Sequence, residues 1–231
     1  LQGVYWRVRI TDAFDKQGEP SDIAYFEMGL LDKNEWKGLW LTDRLYKNKS
    51  ACYFRSDFNV KPGLKRARAL VSGIGYNIVS INGTRQGDAV LDPGWTTYDK
   101  RVQYRVHDIT ADLKEGENTI GVTLGEGWYH NNHYCFNGFS FIEALHWLGQ
   151  PRFTAQLFFE YEDGSTQWIY SRPEDWKSSY GPIIYHDVFN GEHYDARLEM
   201  PGWDTPAAKD WPWRPAKEIE GPGGELEPAI A

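Results

Sequence analysis

The chain has 231 residues, of which 41% are hydrophobic and 16% aromatic, and its formal net charge is −8. The aromatic content excludes a disordered polar chain, because disordered segments contain few aromatic and hydrophobic residues. The acidic balance argues against a nucleic-acid partner, which needs a basic face, and the sequence has no apolar run of about 18 residues that could span a membrane. We therefore expect a globular protein whose partners are neutral molecules or other protein surfaces.

The first 28 residues predict a β-hairpin. Residues 4–10 alternate apolar and polar side chains with the period of two that a half-buried strand requires, residues 15–20 form a turn, and residues 23–28 make a second strand. A lone hairpin is too small to hold its own core, so we expect it to pack on other sequence. Leu1 is not a methionine and no signal-peptide pattern follows it. We expect a processed or excised piece of a protein that is periplasmic or secreted rather than cytoplasmic.

Residues 29–40 predict either a turn of helix or a connector, and short strands separated by turns follow. Asn82-Gly83 and Asp163-Gly164 each indicate a tight hairpin, because these dipeptides adopt the backbone of two-residue turns. Alternating apolar rows predict core-facing strands, namely Phe54, Phe58 and Val60, then Ile120, Val122 and Leu124, then Phe153, Ala155, Leu157, Phe159 and Tyr161. Helical periodicity is scarce. The fold class predicted is all-β, an antiparallel β-sandwich of the jelly-roll, galactose-binding-like type with few short helical turns.

Catalytic and metal-binding motifs are absent from the sequence. It contains no Gly-x-Ser-x-Gly, no phosphate-binding Gly-rich loop and no His-Glu-x-x-His. His130 and His133 lie near Cys135, as zinc ligands can, but a polar surface loop explains them without a metal. Neighbouring carboxylates such as Glu160 and Glu162 are better explained as a solvated strand edge than as a glycosidase pair, which must face each other across a cleft.

Two Gly-containing loops, residues 92–98 and 125–132, carry the aromatic side chains that best suit a sugar. An aromatic ring offers a flat apolar face to a sugar, and polar neighbours bind its hydroxyl groups. The candidate sugar-binding residues in and beside these loops are Trp95, Tyr98, Arg101, Trp128, Tyr129 and Asn131. In the alternative interpretation the rings close the ends of the core, because Trp and Tyr are highly buried on average. The residues alone leave both interpretations open.

Six different motifs follow one another along the chain, at residues 81–87, 91–104, 108–118, 124–129, 185–197 and 201–203. The most specific are Pro-Gly-Trp-Thr at residues 93–96 and Gly-Glu-His-Tyr-Asp-Ala-Arg at residues 191–197. Over about residues 38–220 their order and spacing resemble the amino-terminal, non-catalytic β-sandwich of bacterial alpha-L-rhamnosidases of glycoside hydrolase family 78.

The resemblance implies a domain organisation and a function. Residues 1–28 resemble the last two strands of a fibronectin-type-III-like module, residues 29–220 the rhamnosidase N-terminal sandwich, and residues 221–231, rich in Gly, Pro and Glu, a linker. Catalysis in this family resides in a separate (α/α)6 barrel, so this chain is expected to hydrolyse nothing alone. The parent protein would remove terminal α-L-rhamnose from glycans or glycosides. This segment would bind the rhamnose-containing carbohydrate, or pack on and stabilise the barrel as its intramolecular partner.

The charged motif at residues 191–197 has two interpretations. Glu192 and Asp195 would line a sugar site or the contact with the barrel, or else Asp195 and Arg197 form a local surface ion pair. Residues 131–150 are longer and more aromatic than the family pattern, so no loop function is transferred across them.

Calcium enters through the resemblance alone, because some sandwich domains of such enzymes bind rhamnose through it. Asp88, Asp92 and Asp99 are the candidate carboxylates. Calcium takes 6 to 8 oxygen ligands, and no calcium motif matches this sequence residue by residue. No cofactor is therefore required by the sequence, and calcium stays an open alternative.

Overall fold

The computed structural model describes residues 1–46, 50–130, 135–136, 139–140, 149–188, 190–208 and 211–229. The chain divides into two compact units, Leu1–Trp36 and Lys37–Ala231. This division lies after Trp36, whereas the predicted one lies after residue 28. Helical structure in the described ranges is confined to three 3-10 turns at Lys33–Glu35, Thr110–Asp112 and Ala196–Leu198. None of the described helices has the length and hydropathy to cross a membrane.

The first unit is a two-stranded antiparallel hairpin of β1 (Gly3–Trp6) and β2 (Ala24–Glu27). β1 is shorter than the predicted strand over residues 4–10, because beyond Trp6 a side chain interrupts the backbone ladder: the Val8 N–H donates to the Ser21 hydroxyl at 3.0 Å. The unit leaves large apolar side chains exposed, and these are Tyr5, Trp6, Val8, Ile10, Phe14, Ile23, Tyr25, Phe26 and Leu31. Within this unit the hairpin buries little of its apolar surface, as expected of two strands without a third.

The remaining strands belong to the second unit. In chain order they are β3 (Leu41–Thr42), β4 (Cys52–Val60), β5 (Leu64–Ile74), β6 (Tyr76–Ile81), β7 (Thr84–Arg85), β8 (Arg101–Asp108), β9 (Gly116–Gly125), β10 (Cys135–Phe136), β11 (Phe139–Ser140), β12 (Arg152–Tyr161), β13 (Thr166–Tyr170), β14 (Lys177–Tyr180), β15 (Ile183–Asp187), β16 (Gly191–Tyr194), β17 (Arg214–Pro215), β18 (Lys217–Glu218) and β19 (Glu225–Pro228).

Two large sheets form the sandwich. One has the strand order β18-β3-β12-β5-β8-β19, with β13 also paired to β12, and the other has the order β17-β14-β4-β9-β6-β7. Every pairing in them is antiparallel except that of β19 with β8. β15 and β16 form a separate hairpin, as do β10 and β11. The predicted all-β sandwich is confirmed.

The main core lies between the two sheets and is built by the alternating rows that the sequence predicts. The apolar rows of β4, β9 and β12 are all buried in one cluster with Ala67, Ala69 and Val71 of β5. The Phe54 and Phe153 rings meet across the sandwich at 4.7 Å between centroids. Because side chains alternate along a strand, this arrangement sends the intervening residues of β4, β6 and β9 to the outer face of the six-stranded sheet.

The Asn82-Gly83 and Asp163-Gly164 hairpins are confirmed. Asn82 and Gly83 have φ values of 50° and 87°, which a two-residue turn of the primed type requires. The Asn82 side chain adds three hydrogen bonds: its amide donates to the Asp112 carbonyl and the Asn118 side chain, and its carbonyl oxygen accepts from the Thr119 N–H.

The tail differs from the predicted linker. β19 runs parallel to β8 within the seven-stranded sheet, and its Leu226 packs on a second buried cluster. That cluster consists of Ile74, Tyr98, Val102 and Tyr129. The Gly- and Pro-rich composition did not indicate this strand, whose Leu226 packs against the core.

Candidate functional site

The two aromatic loops meet through Trp95 and Trp128. Their rings stack with centroids 4.9 Å apart and planes 11° from parallel. Trp95 is 57% exposed, whereas Trp128 is half-buried. The sequence prediction of loop aromatics able to present a ring to a sugar therefore has a structural counterpart in this pair, which we call the tryptophan stack.

Tyr98 and Tyr129, from the same two loops, do not belong to this surface. They are 0% and 2% exposed, and their rings meet edge to face at 5.1 Å inside the second cluster. Ile74 and Val102 pack around them, so neither ring has a face to offer a ligand. The structure thus corrects the sequence-based list: each loop contributes one tryptophan to the surface and one tyrosine to the core.

The loop that carries Trp128 is held against the sheet by a close backbone approach. A Cβ on Gly75 would lie 1.8 Å from the Glu126 carbonyl oxygen, so only glycine fits there. Beside it the Trp128 side chain is hydrogen-bonded to Tyr76, whose pKa is nonetheless raised by burial. β6 and the close glycine contact therefore fix the position of the tryptophan stack.

An open groove lies on the outer face of the six-stranded sheet, next to this loop. Its volume is about 500 Å³, within the range of ligand-binding clefts. Its floor is formed by Tyr76, Ile78, Thr123 and Gly125, one wall by the loop from Arg85 to Asp92, and the other by the β15–β16 hairpin with His186, Asp187, Val188, Gly191 and Glu192. We call this cavity the sheet groove; neither Trp95 nor Trp128 lines it, but Gly127, the residue before Trp128, does.

The two walls of the sheet groove differ in polarity. On the loop wall Asp92 is held by Arg105, with N–O distances of 2.7 and 2.9 Å, and this contact raises the pKa of Arg105. Arg85 donates to the Ala89 carbonyl at 2.8 Å. On the hairpin wall, the exposed Glu192 carboxylate makes no hydrogen bond to the described residues.

Asp195 and Arg101 lie outside the residues that line the sheet groove. Asp195 caps the 3-10 turn by accepting the Arg197 N–H, and its carboxylate forms a two-point contact with the Arg197 guanidinium at 2.7 and 2.8 Å. This guanidinium lowers the pKa of Asp195 to about 2. The exposed Arg101 lies 3.7 Å from Glu227. The local ion-pair interpretation therefore accounts for Asp195, whereas Glu192 remains a candidate for ligand binding.

No cluster of three or more His, Cys, Asp or Glu side chains suited to a metal occurs in the described part of the chain. Asp92, a candidate calcium ligand, is already bound to Arg105. The Nδ1 atom of His130 lies 3.0 Å from the Gly149 carbonyl oxygen. Asn131 and His133 lie outside the described residues, as does the side chain of Cys135.

The sequence did not identify Ile78, Thr123, Val90 or Leu91 as part of a site. The strand alternation on β6 and β9 could have placed Ile78 and Thr123 on the outer face. The position of the β15–β16 hairpin above them has no local sequence signal, because it depends on residues about 60 to 110 positions away.

Comparison with known proteins finds relatives that are longer than this chain and that match it over part of their own length. Residues 63–231 match the family model described as alpha-L-rhamnosidase N-terminal domain. An alpha-L-rhamnosidase of Formosa agariphila is 34% identical, over 93% of this chain and 25% of its own length. The solved alpha-L-rhamnosidase from Dictyoglumus thermophilum has a TM-score of 0.89 and 35% identity, covering 100% of this chain and 26% of that one. The enzyme from Aspergillus terreus has a TM-score of 0.88 and 31% identity, covering 98% and 26%. The chain spans about a quarter of the length of these relatives.

Proposed function

The chain belongs to the alpha-L-rhamnosidase N-terminal domain family, and from that premise we propose that it is a carbohydrate-binding accessory domain. Its ligand would be a rhamnose-containing glycan, and its parent protein would remove terminal α-L-rhamnose. Hydrolysis would reside in a catalytic domain elsewhere in the parent, as the longer relatives suggest. The 231-residue chain alone is then expected to be inactive on a chromogenic α-L-rhamnoside.

The observation that carries the sugar-binding role is the tryptophan stack beside the sheet groove. Trp95 is 57% exposed although its ring is large and apolar, and its partner Trp128 holds it in a fixed orientation. A fixed aromatic face beside an open cleft with polar groups suits the apolar face of a pyranose. The acidic residues of the hairpin wall favour a neutral sugar over an anionic one.

Titration calorimetry of the full chain with methyl α-L-rhamnopyranoside and rhamnosylated oligosaccharides, with and without calcium, tests this proposal. We expect Trp95→Ala to weaken binding about tenfold, the effect of losing one aromatic contact of about 1.4 kcal/mol. Trp6→Ala is the matched control, because Trp6 is also about half exposed, at 48%, and does not belong to the tryptophan stack. No heat with any of these sugars would refute the binding role.

A second candidate function is structural, and exposed apolar side chains near the β15–β16 hairpin favour it. Tyr194 and Leu198 are 54% and 47% exposed. In a parent about four times longer, the catalytic domain would be the partner that covers them. In the full-length parent, Leu198→Glu is then expected to speed thermal inactivation of rhamnosidase activity, whereas Leu45→Glu, at a leucine 58% exposed outside this hairpin, is not. Equal inactivation rates would exclude this role for Leu198.

For residues 1–28 we infer the end of a fibronectin-type-III or immunoglobulin-like module. The exposed apolar side chains of this unit support the inference, because a hairpin with so many of them gains from further strands. Residues 29–220 would form the rhamnosidase sandwich. Limited proteolysis of the full-length parent tests this division, since cleavage is expected between the two units, near residues 28–37, rather than within the hairpin.

A further inference from the structure

We propose that Asn190, in the turn of the β15–β16 hairpin, is a site of spontaneous deamidation. The reaction places a new carboxylate in the hairpin wall of the sheet groove. This inference goes beyond the proposed carbohydrate-binding function and does not depend on it, because it concerns the chemistry of the chain itself.

The sequence contains three Asn-Gly pairs, at residues 82–83, 137–138 and 190–191. An asparagine before a glycine is prone to deamidation, because glycine has no Cβ to hinder the attack of its backbone nitrogen on the preceding side chain. Residues 137–138 lie outside the described ranges. The other two pairs have the same local chemistry in different surroundings, so they show how the fold controls the reaction.

The fold protects Asn82. This residue is half-buried, and its amide group donates to the Asp112 carbonyl and to the Asn118 side chain, both at 2.8 Å. Its carbonyl oxygen accepts from the Thr119 N–H at 2.9 Å. Turning the side chain toward the Gly83 nitrogen breaks these bonds, and a half-buried polar group left without a partner is costly.

Asn190 is exposed, and its hydrogen bonds stay within its own turn. Its backbone N–H and its side-chain Nδ2 both donate to one oxygen of Asp187, at 3.0 and 3.1 Å. Gly191 is paired with Asp187 at the last step of the β15–β16 ladder, whose strands have five and four residues. The end of a short two-stranded hairpin opens readily, so Asn190 reaches the geometry of attack at little cost.

The reaction needs only water. The Gly191 backbone nitrogen loses its proton and forms a bond to the Asn190 Cγ atom, while the Cγ–Nδ2 bond breaks and ammonia leaves with that proton. Water then opens the cyclic succinimide at one of its two carbonyl groups. Position 190 becomes aspartate or, where the chain continues through Cγ, isoaspartate. In both products a carboxylate replaces the amide that donated to Asp187.

Deamidation weakens the hairpin wall of the sheet groove. The new carboxylate and that of Asp187 are like charges at the distance of the lost hydrogen bond, and like charges repel. Glu192 is a further acidic residue of the same wall. Isoaspartate also lengthens the backbone of the turn. The deamidated hairpin therefore opens more often than the original one.

The first test follows both described pairs in one sample. Trypsin separates them into the peptides 69–85 and 178–197, and mass spectrometry detects the replacement of NH2 by OH in each. In the folded chain at mildly alkaline pH, Asn190 is expected to react at least about tenfold faster than Asn82, because freeing Asn82 breaks several hydrogen bonds and 1.36 kcal/mol is a factor of ten.

The chain unfolded in guanidinium chloride is the control for sequence effects. There the two rates are expected to agree within about threefold, because residual structure in unfolded chains has small energetic effects. Equal rates in the folded chain would overturn the proposal. An Asn190 that reacts only after unfolding would overturn it as well.

The second test uses Asn190→Asp, which reproduces the aspartate product, with Asn190→Gln as the uncharged control. At equal pH, the amides of residues 183–194 are expected to exchange hydrogen about fivefold faster in Asn190→Asp than in the control, the size expected of two like charges in contact through water. Circular dichroism checks that both variants fold. Equal exchange in the two variants would overturn the weakening of the wall.

Discussion

Compared with the sheet groove, the neighbouring part of the same sheet face is closed by residues 200–208 and 211–213. There Trp203 packs edge to face on Tyr53 at 5.2 Å, and a Cβ on Gly121 would lie 2.8 Å from its ring. In the groove the outward side chains Ile78 and Thr123 have no such cover among the described residues. Trp203 and Trp213 lie in the closed region, where a buried cation holds the chain over the strands, whereas neither tryptophan of the stack lines the groove.

That cation is Arg55, which is 1% exposed on the outer side of β4. It donates to the Trp203 and Ala208 carbonyls at 3.0 and 2.6 Å and is paired with Asp57. Its guanidinium also lies over the Trp213 ring at 5.6 Å. The comparison teaches that a segment is packed down over this sheet face where a buried polar anchor lies beneath it.

The largest expected effect comes from removing this anchor. Arg55→Ala should lower the free energy of unfolding by about 3–5 kcal/mol, because it removes a buried guanidinium from Asp57 and from two carbonyl groups. Asp57 then keeps the Thr119 hydroxyl, and the Ala208 carbonyl keeps the Trp213 ring N–H. Urea unfolding measures this loss, and Arg101→Ala, which removes an exposed arginine, is expected to stay within about 0.5 kcal/mol of the parent chain. A loss at Arg55 no larger than that at Arg101 would break the comparison.

A smaller effect is expected at the loop that carries Trp128, which is held by a close backbone contact and not by a buried cation. Gly75→Ala must displace the Glu126 carbonyl and so the loop that carries Trp128. We expect a loss of about 2–3 kcal/mol in the free energy of unfolding, and a weaker near-ultraviolet circular dichroism signal from the tryptophan stack.

The control for this change is Gly94→Ala in the opposite loop. The nearest atom to a Cβ on Gly94 is the Gln103 side-chain oxygen at 3.0 Å, which is at the end of a flexible chain and can move. We expect its effect to stay within about 0.5 kcal/mol. An unchanged spectrum in Gly75→Ala would show that the close glycine contact does not position Trp128.

How much of these two regions the sequence could predict depends on the range of the interactions involved. The Asn82-Gly83 turn and the alternating row from Ile120 to Leu124 are local patterns, and both were predicted correctly. The sequence did not distinguish the exposed Trp95 from the buried Tyr98, because both are aromatic and they lie three residues apart. Only the packing of Tyr98 against Ile74 and Tyr129 decides which ring is buried.

The sheet groove shows the same limit more strongly. Its walls come from residues 85–92 and 183–192, and its floor from two further strands. No single stretch of the chain contains a recognisable motif for it. The tail likewise became a strand through a parallel pairing with β8, about 120 residues earlier. The composition of the tail predicted a linker because composition reflects local flexibility. It carries no information on pairing with a distant strand.

The smallest expected effect is a pH dependence next to the loop wall. Burial lowers the pKa of His107 to about 4, while Asp92 beside it acts in the opposite direction and Arg105 adds to the lowering. In the unfolded chain a histidine titrates near about 6.5, so between these two values the unfolded state binds more protons than the folded one. Stability should therefore fall as the pH decreases from about 6.5 to 4, by on the order of 2 kcal/mol.

His107→Gln removes the titrating group while keeping a polar side chain of similar length. Urea unfolding of both proteins at pH 7 and pH 4.5 is expected to show a smaller loss of stability for the variant on acidification. Because His107 lies near Gly87 in the loop wall, we expect this loss to accompany loosening of the groove and not of the region anchored by Arg55. Hydrogen exchange would locate it: earlier exchange of the residues 85–92 amides at low pH supports this view. Earlier exchange of the residues 203–208 amides instead would show that the two regions open as one.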